Sequence, residues 1–123
     1  MQTIKNLINL DYLKLMADGD REMEKVMLDM LLTELPSEFE IMKSLHYAQD
    51  WKELSKVSHK MKSTLAFIGN EEITEANLKV EQLTKQGTPP TNEDIICIGD
   101  NMKTFENLLP AVINELNQTA AKY

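Results

Sequence analysis

Between Asp50 and Gly69 the apolar residues Trp51, Leu54, Val57, Met61, Leu65 and Ile68 recur three and four positions apart. That spacing fits one face of a helix and cannot be a half-buried strand, which would alternate every second residue. The same period recurs through most of the chain. It runs through Met23, Val26, Met27, Met30 and Leu31, and resumes beyond Pro36 with Phe39, Ile41, Met42 and Leu45. It returns at Ile73, Ala76, Val80 and Leu83, then from Ile95 through Ile98, Met102, Phe105, Leu109 and Val112 to Leu116. A shorter segment, about Asn9 to Ala17, carries Leu10, Tyr12, Leu13 and Met16. No stretch alternates as a strand would. The expected fold is all-α: an antiparallel up-down four-helix bundle with a short N-terminal capping helix.

The punctuation between these stripes agrees. Asp18-Gly19-Asp20 makes a turn whose Asp20 can cap the second helix, and Asp50 with Glu53 has the spacing of a capping box. Gly69 is placed to end the third helix in a left-handed conformation, and Asn70 to cap the fourth. A turn that short makes the third and fourth helices antiparallel neighbours. Gly87-Thr88-Pro89-Pro90 is the clearest loop, after which Thr91 starts the fifth helix. Pro36 is expected to kink or restart its helix, Pro110 to bend the last one, and Thr119 to Tyr123 to fray.

With 123 residues, 42% apolar and 27% charged, residues 1–123 are expected to form one domain around one core. The eight methionines are read as adaptable core fillers. A net charge of −7 argues against nucleic acid as the main partner. Yet Lys52, Lys56, Lys60 and Lys62 cluster in one short stretch, so an acidic body carries a basic patch suited to an acidic protein partner. Cys97 is the single cysteine, which excludes an internal disulfide and fits a reducing compartment; Ile95-Ile96-Cys97-Ile98 suggests a small buried hydrophobe. Met1 to Asn6 lacks the apolar run of a signal peptide, and no segment is apolar enough to cross a bilayer. The expected location is the cytoplasm. Met1 and the compact length favour a free-standing protein.

His59 stands on the third helix, roughly 200° from both Val57 and Met61 at about 100° per residue. It therefore points away from the core. Its neighbours on that outer face are Ser55, Lys56, Lys62, Ser63 and Ala66. Three of these are small, so a partner backbone could come close to the imidazole. The two lysines would stabilise an anion attached to it. A nucleophilic nitrogen, open access and local positive charge are what reversible phosphorylation of a histidine requires.

His59-Lys60-Met61-Lys62-Ser63, preceded by Asp50-Trp51 and followed by Ile68-Gly69, resembles the signature of histidine-containing phosphotransfer (HPt) domains: His, two residues, Lys, then a small residue, usually Gly. Ser63 departs from that glycine but is also compact. The resemblance covers roughly Asp11 to Leu116. It implies a phosphorelay intermediate of two-component signal transduction, carrying a phosphoryl group on His59 between receiver-domain aspartates. On this resemblance neutral His59 attacks phosphorus through Nε2, and Lys62 neutralises charge on the phosphoryl oxygens. Ser55, Lys56, Ser63, Ala66 and Phe67 would form the docking surface. The expected partners are receiver domains of a hybrid sensor kinase or a response regulator, meeting a monomer. The receiver supplies the aspartate and its magnesium, so this chain is expected to need no cofactor of its own.

Other chemistries find little support. The residues three before His46 and His59 are Lys43 and Lys56, not the glutamates of a bundle di-iron site. Two histidines and one cysteine are poor provision for zinc, and no Ser-His-Asp set is suggested by order or spacing. His46, near a helix end, is read as a surface or capping residue. No glycine-rich phosphate loop is present, so the chain is expected to be a phosphocarrier rather than an enzyme and to receive phosphoryl from another protein. The competing reading is a helical adaptor that binds a partner without being phosphorylated.

Overall fold

The computed structural model describes residues 7–85 and 87–123; the expectation drawn from Met1 to Asn6 lies outside the described residues. Five helices follow one another: α1 (Asp11–Ala17), α2 (Arg21–Tyr47), α3 (Trp51–Ile68), α4 (Glu71–Thr84) and α5 (Asn92–Ala120). Among the described residues there is no strand. Each long helix packs on the next, and α5 returns to α2, closing a four-helix ring. Connections as short as Ala48–Asp50 and Gly69–Asn70 leave no route but reversal, so neighbours run antiparallel. The short α1 lies against α2 and α3, as a capping helix should.

The core fills the ring. Leu28, Leu35 and Met42 of α2 meet Leu54, Met61, Leu65 and Ile68 of α3, Ile73 and Val80 of α4, and Ile98, Phe105, Val112 and Leu116 of α5. Phe39 and Phe105 stack with centroids 5.4 Å apart. Helix starts are set by side chains that satisfy otherwise orphaned amides. Asp20 accepts from the Met23 amide, Asp50 from Glu53, and Asn70 from Ile73. Thr91 and Asp94 form the one reciprocal capping box among the described residues.

Several expectations need correction. The capping box at Asp50 is only half made, because the Glu53 carboxylate turns to Lys56 at 3.3 Å. Pro36 neither ends nor restarts α2, which continues through it; α5 runs on through Pro110 as one helix, as expected. Surrounding core contacts hold both helices together despite the lost backbone donor. The α2 core stripe is Leu28, Leu31, Leu35, Phe39 and Met42, whereas Met23, Val26 and Met30 are exposed. This helix carries two apolar faces, and the expected stripe mixes them: Leu31, Phe39 and Met42 are in the core, while Met23, Val26, Met30 and Ile41 lie outside it. In α1, Leu13 and Ala17 turn inward while Tyr12 and Met16 are exposed. The tail is not frayed: Tyr123 donates its hydroxyl to Glu24 at 2.6 Å and lies under the Arg21 guanidinium at 4.1 Å. Cys97 is partly exposed rather than buried.

Gly69 closes α3 with φ +71°, and its amide donates to the Leu65 carbonyl. The segment before α1 straps over this turn: the Asn9 amide donates to the Ile68 carbonyl at 2.8 Å, and Asn70 Nδ2 donates to the Leu7 carbonyl at 2.8 Å. A Cβ on Gly69 would fall 2.4 Å from the Asn9 carbonyl oxygen. Gly69→Ala should therefore lower unfolding free energy by more than the ~1–2 kcal/mol of a left-handed alanine alone. Gly99→Ala, within α5 and with nothing near the added methyl, should instead add about 0.5–1 kcal/mol. Urea melts of both variants check the pair.

Candidate functional site

With Leu54, Ser58, Met61 and Leu65 turned inward, the helical rotation carries His59 to the outside of α3. Its side chain is 66% exposed, in mid-helix and on the flank facing α4. The ring is not free-standing. His59 Nδ1 lies 2.5 Å from Oε2 of Glu81 on α4, and Lys62 Nζ lies 3.0 Å from the other oxygen of the same carboxylate. The Glu81 side chain is only 6% exposed, so one sheltered carboxylate bridges two exposed nitrogen groups. Burial pushes the Glu81 carboxyl upward, but hydrogen bonds from Lys62 and His59, and their charges, outweigh it and hold the group below the usual glutamate range.

An ionised carboxylate can only accept hydrogen bonds. Nδ1 of His59 therefore carries its hydrogen, assigned from this network, and a neutral ring keeps its lone pair on Nε2. Nε2 has no partner among the described residues. The site thus presents a basic, sterically open nitrogen on one side and a fixed counter-charge on the other.

Beneath the ring, Ser58 and Asn77 join α3 to α4 in the buried seam. Ser58 Oγ lies 2.7 Å from Asn77 Oδ1 and 2.9 Å from the Asn77 carbonyl, while Asn77 Nδ2 donates to the Ser58 carbonyl at 2.9 Å. Asn77, Glu81 and Thr84 form a polar edge of α4 at helical spacing, all three buried.

The residues singled out on the outer face of α3 divide between two sides. Lys56, paired with Glu53, and Ser55 line a cleft of about 640 Å³ with Trp51, Lys52 and Lys85, near the start of α3. Ser63 and Phe67 line a hollow of about 230 Å³ with Met27, Met30, Leu31 and Thr64 of α2 and α3. Phe67 also stacks on Tyr12, centroids 5.2 Å apart. Ala66 is exposed on the opposite flank, beside Gly69 and Thr74. Lys62 reaches the imidazole only through Glu81, and Lys60 acts electrostatically on Glu38 of α2 instead. His46 is half-buried beside Trp51, and that burial lowers its pKa. Glu81 and Asn77 were not anticipated, although polar residues at 77, 81 and 84 flank the Ile73–Val80 stripe at helical spacing. Among the described residues, no group of three or more His, Cys, Asp or Glu converges to hold a metal ion. No described helix is long and apolar enough to cross a membrane.

Because the folded Glu81 carboxyl titrates below its unfolded value, its contribution to stability is fully present above the unfolded pKa, roughly pH 4–5. It is lost as pH falls through the folded value. Glu81→Gln should therefore destabilise the protein near neutral pH, and its gap from the wild type should close in acid. Urea midpoints measured from pH 3 to pH 7 check this; a gap that widens in acid contradicts it.

The family model described as Hpt domain matches residues 26–120. No curated protein and no solved structure matches the chain. The match spans α3, α4 and α5 with most of α2, and so includes His59, Lys62 and Glu81. On that match, and on an exposed mid-helix histidine in an all-helical bundle, this chain belongs to the Hpt domain family.

Proposed function

We propose that this protein is a phosphorelay intermediate that accepts a phosphoryl group on His59 from a receiver-domain aspartate and passes it to another receiver. Phosphotransfer in two-component signalling is the role of the family. The observation that supports His59 as the acceptor is its Nδ1 contact with Glu81, which leaves Nε2 as the free nucleophile. In the forward step the Nε2 lone pair forms the N–P bond as the bond from phosphorus to the aspartyl oxygen breaks, in line. The aspartate leaves as a carboxylate. No proton has to move, because the attacking nitrogen starts without one. The ring becomes formally cationic, and the Glu81 carboxylate is already in place to balance that charge. The reverse step needs the same groups, so direction is set by the partners.

Lys62 spends one N–H on Glu81 and keeps two donors for phosphoryl oxygens. It would thus tie the phosphoryl group to the same carboxylate that holds the ring. The receiver brings the aspartate and a magnesium ion, and this chain adds no cofactor. The hollow beside Ser63 and Phe67 shares Met30 with a neighbouring depression lined by Val26, and both side chains are exposed on α2. An apolar surface of this kind next to a reactive group suits a protein partner. Lys56 and Lys52, on the other side of His59, suit an acidic rim on the same partner. We place this exchange in the cytoplasm, with the protein acting as a carrier rather than as an enzyme.

His59→Gln should abolish labelling by a phosphorylated receiver while leaving the protein folded, at a cost of about 0.5–1.5 kcal/mol for the altered hydrogen bond to the sheltered Glu81 carboxylate. Lys62→Ala should slow transfer roughly thirtyfold to nearly a thousandfold, by analogy with a lost transition-state donor worth about 2–4 kcal/mol. Lys60→Ala should do much less. Single-turnover transfer from a phosphoreceiver measures all three. Labelling of His59→Gln at the normal rate would make another residue the acceptor, and equal losses at both lysines would remove the special role of Lys62.

A further inference from the structure

The seam between α3 and α4 holds two polar side chains at positions where apolar ones would pack. Ser58 is fully buried and Asn77 almost so. Each meets the other's side chain or backbone: the Ser58 hydroxyl lies against Asn77 Oδ1 and the Asn77 carbonyl, and the Asn77 amide donates to the Ser58 carbonyl. Stability does not require this arrangement, since an apolar pair of similar volume would avoid the cost of stripping water from three side-chain polar groups. What such a pair adds is direction. Apolar contacts tolerate small slides of one helix on another, whereas paired hydrogen bonds fail when either helix turns or shifts.

The location gives that direction a use. Ser58 is the residue before His59, and Asn77 lies one turn before Glu81 on the same edge of α4. Moving α4 by one residue would rotate Glu81 by about 100° and carry its carboxylate off the imidazole. We propose that the Ser58–Asn77 pair is a register latch that keeps Glu81 on Nδ1 of His59 and so keeps Nε2 as the attacking nitrogen. The proposal rests on His59 being the phosphoryl acceptor. Asn77 touches no reacting atom; it is a positioning residue acting through Glu81.

The test reads the imidazole itself. Histidine ¹⁵N shifts of the unphosphorylated protein are recorded at a pH where the ring is neutral, with the His59 signals told from His46 by their loss in His59→Gln. Asn77→Ala should move His59 toward the Nε2–H tautomer and slow phosphotransfer roughly tenfold to a hundredfold, the scale of a misplacement of about 1 Å. Receiver affinity should stay unchanged. Ser58→Ala should act in the same direction, more weakly, because the Asn77 amide keeps its acceptor. Thr119→Val removes another partly buried hydroxyl, bonded to the Glu115 carbonyl on α5, and should leave tautomer and rate as they are. A folded Asn77→Ala with the wild-type tautomer overturns the latch. If that variant does not fold, wild-type shifts in Ser58→Ala overturn it instead. The shifts are read without any phosphoryl donor. A wild type that never accepts phosphoryl would therefore refute the acceptor reading, while a failed latch shows only in the shifts.

Discussion

The two-residue turn Gly69-Asn70 sets the geometry on which the site depends. It fixes α3 and α4 as antiparallel neighbours, so residues at similar distances from the turn come level. His59 is ten residues before Gly69 and Glu81 eleven after Asn70, heights of roughly 15 Å and 16 Å at the helical rise. The turn is itself over-determined. Left-handed backbone at Gly69, the Asn70 cap and the strap from Leu7 to Asn9 all meet there. Stiffness at the closed end makes the relation between an imidazole on one helix and a carboxylate on the next a property of the fold rather than of two mobile side chains.

That relation changes what the histidine can do. An exposed imidazole free in solvent exchanges between tautomers, and either nitrogen can be the basic one. Anchoring Nδ1 to an acceptor-only group removes one of those choices and, on the proposed function, would preset a counter-charge for a phosphorylated ring. Lys62 on the same carboxylate keeps the local charge from becoming too negative for an incoming phosphoryl group, which matters in a protein of net charge −7. On the proposed function, an anionic phosphoryl group would approach a site where cation, carboxylate and imidazole are already joined.

Much of this architecture was legible in the sequence, because helical periodicity and end-capping chemistry are local. The α3 stripe, the Gly69 stop and the outward direction of His59 follow from residues within a few turns of one another. Misreadings arose where two patterns competed. In α2 the exposed Met23, Val26 and Met30 keep the same spacing as the buried Leu28, Leu31 and Leu35, and spacing cannot tell an inner apolar face from an outer one. Pro36 carries a local cost that could restart a helix, and core packing on either side keeps α2 continuous through it. Glu81 went unseen because its role is made by another helix. Nothing near residue 81 shows that a histidine 22 residues away will meet it until the register of the pair is known.

The claim that most depends on this geometry is that the Nε2 atom of His59 is the group that takes phosphoryl. Loading ¹⁵N-histidine-labelled protein from a phosphorylated receiver and reading ³¹P–¹⁵N couplings locates the new bond directly. The arrangement of Glu81 against Nδ1 predicts a single phosphorus signal coupled directly to Nε2 of His59. A signal on Nδ1, on His46 or on any other residue would contradict it.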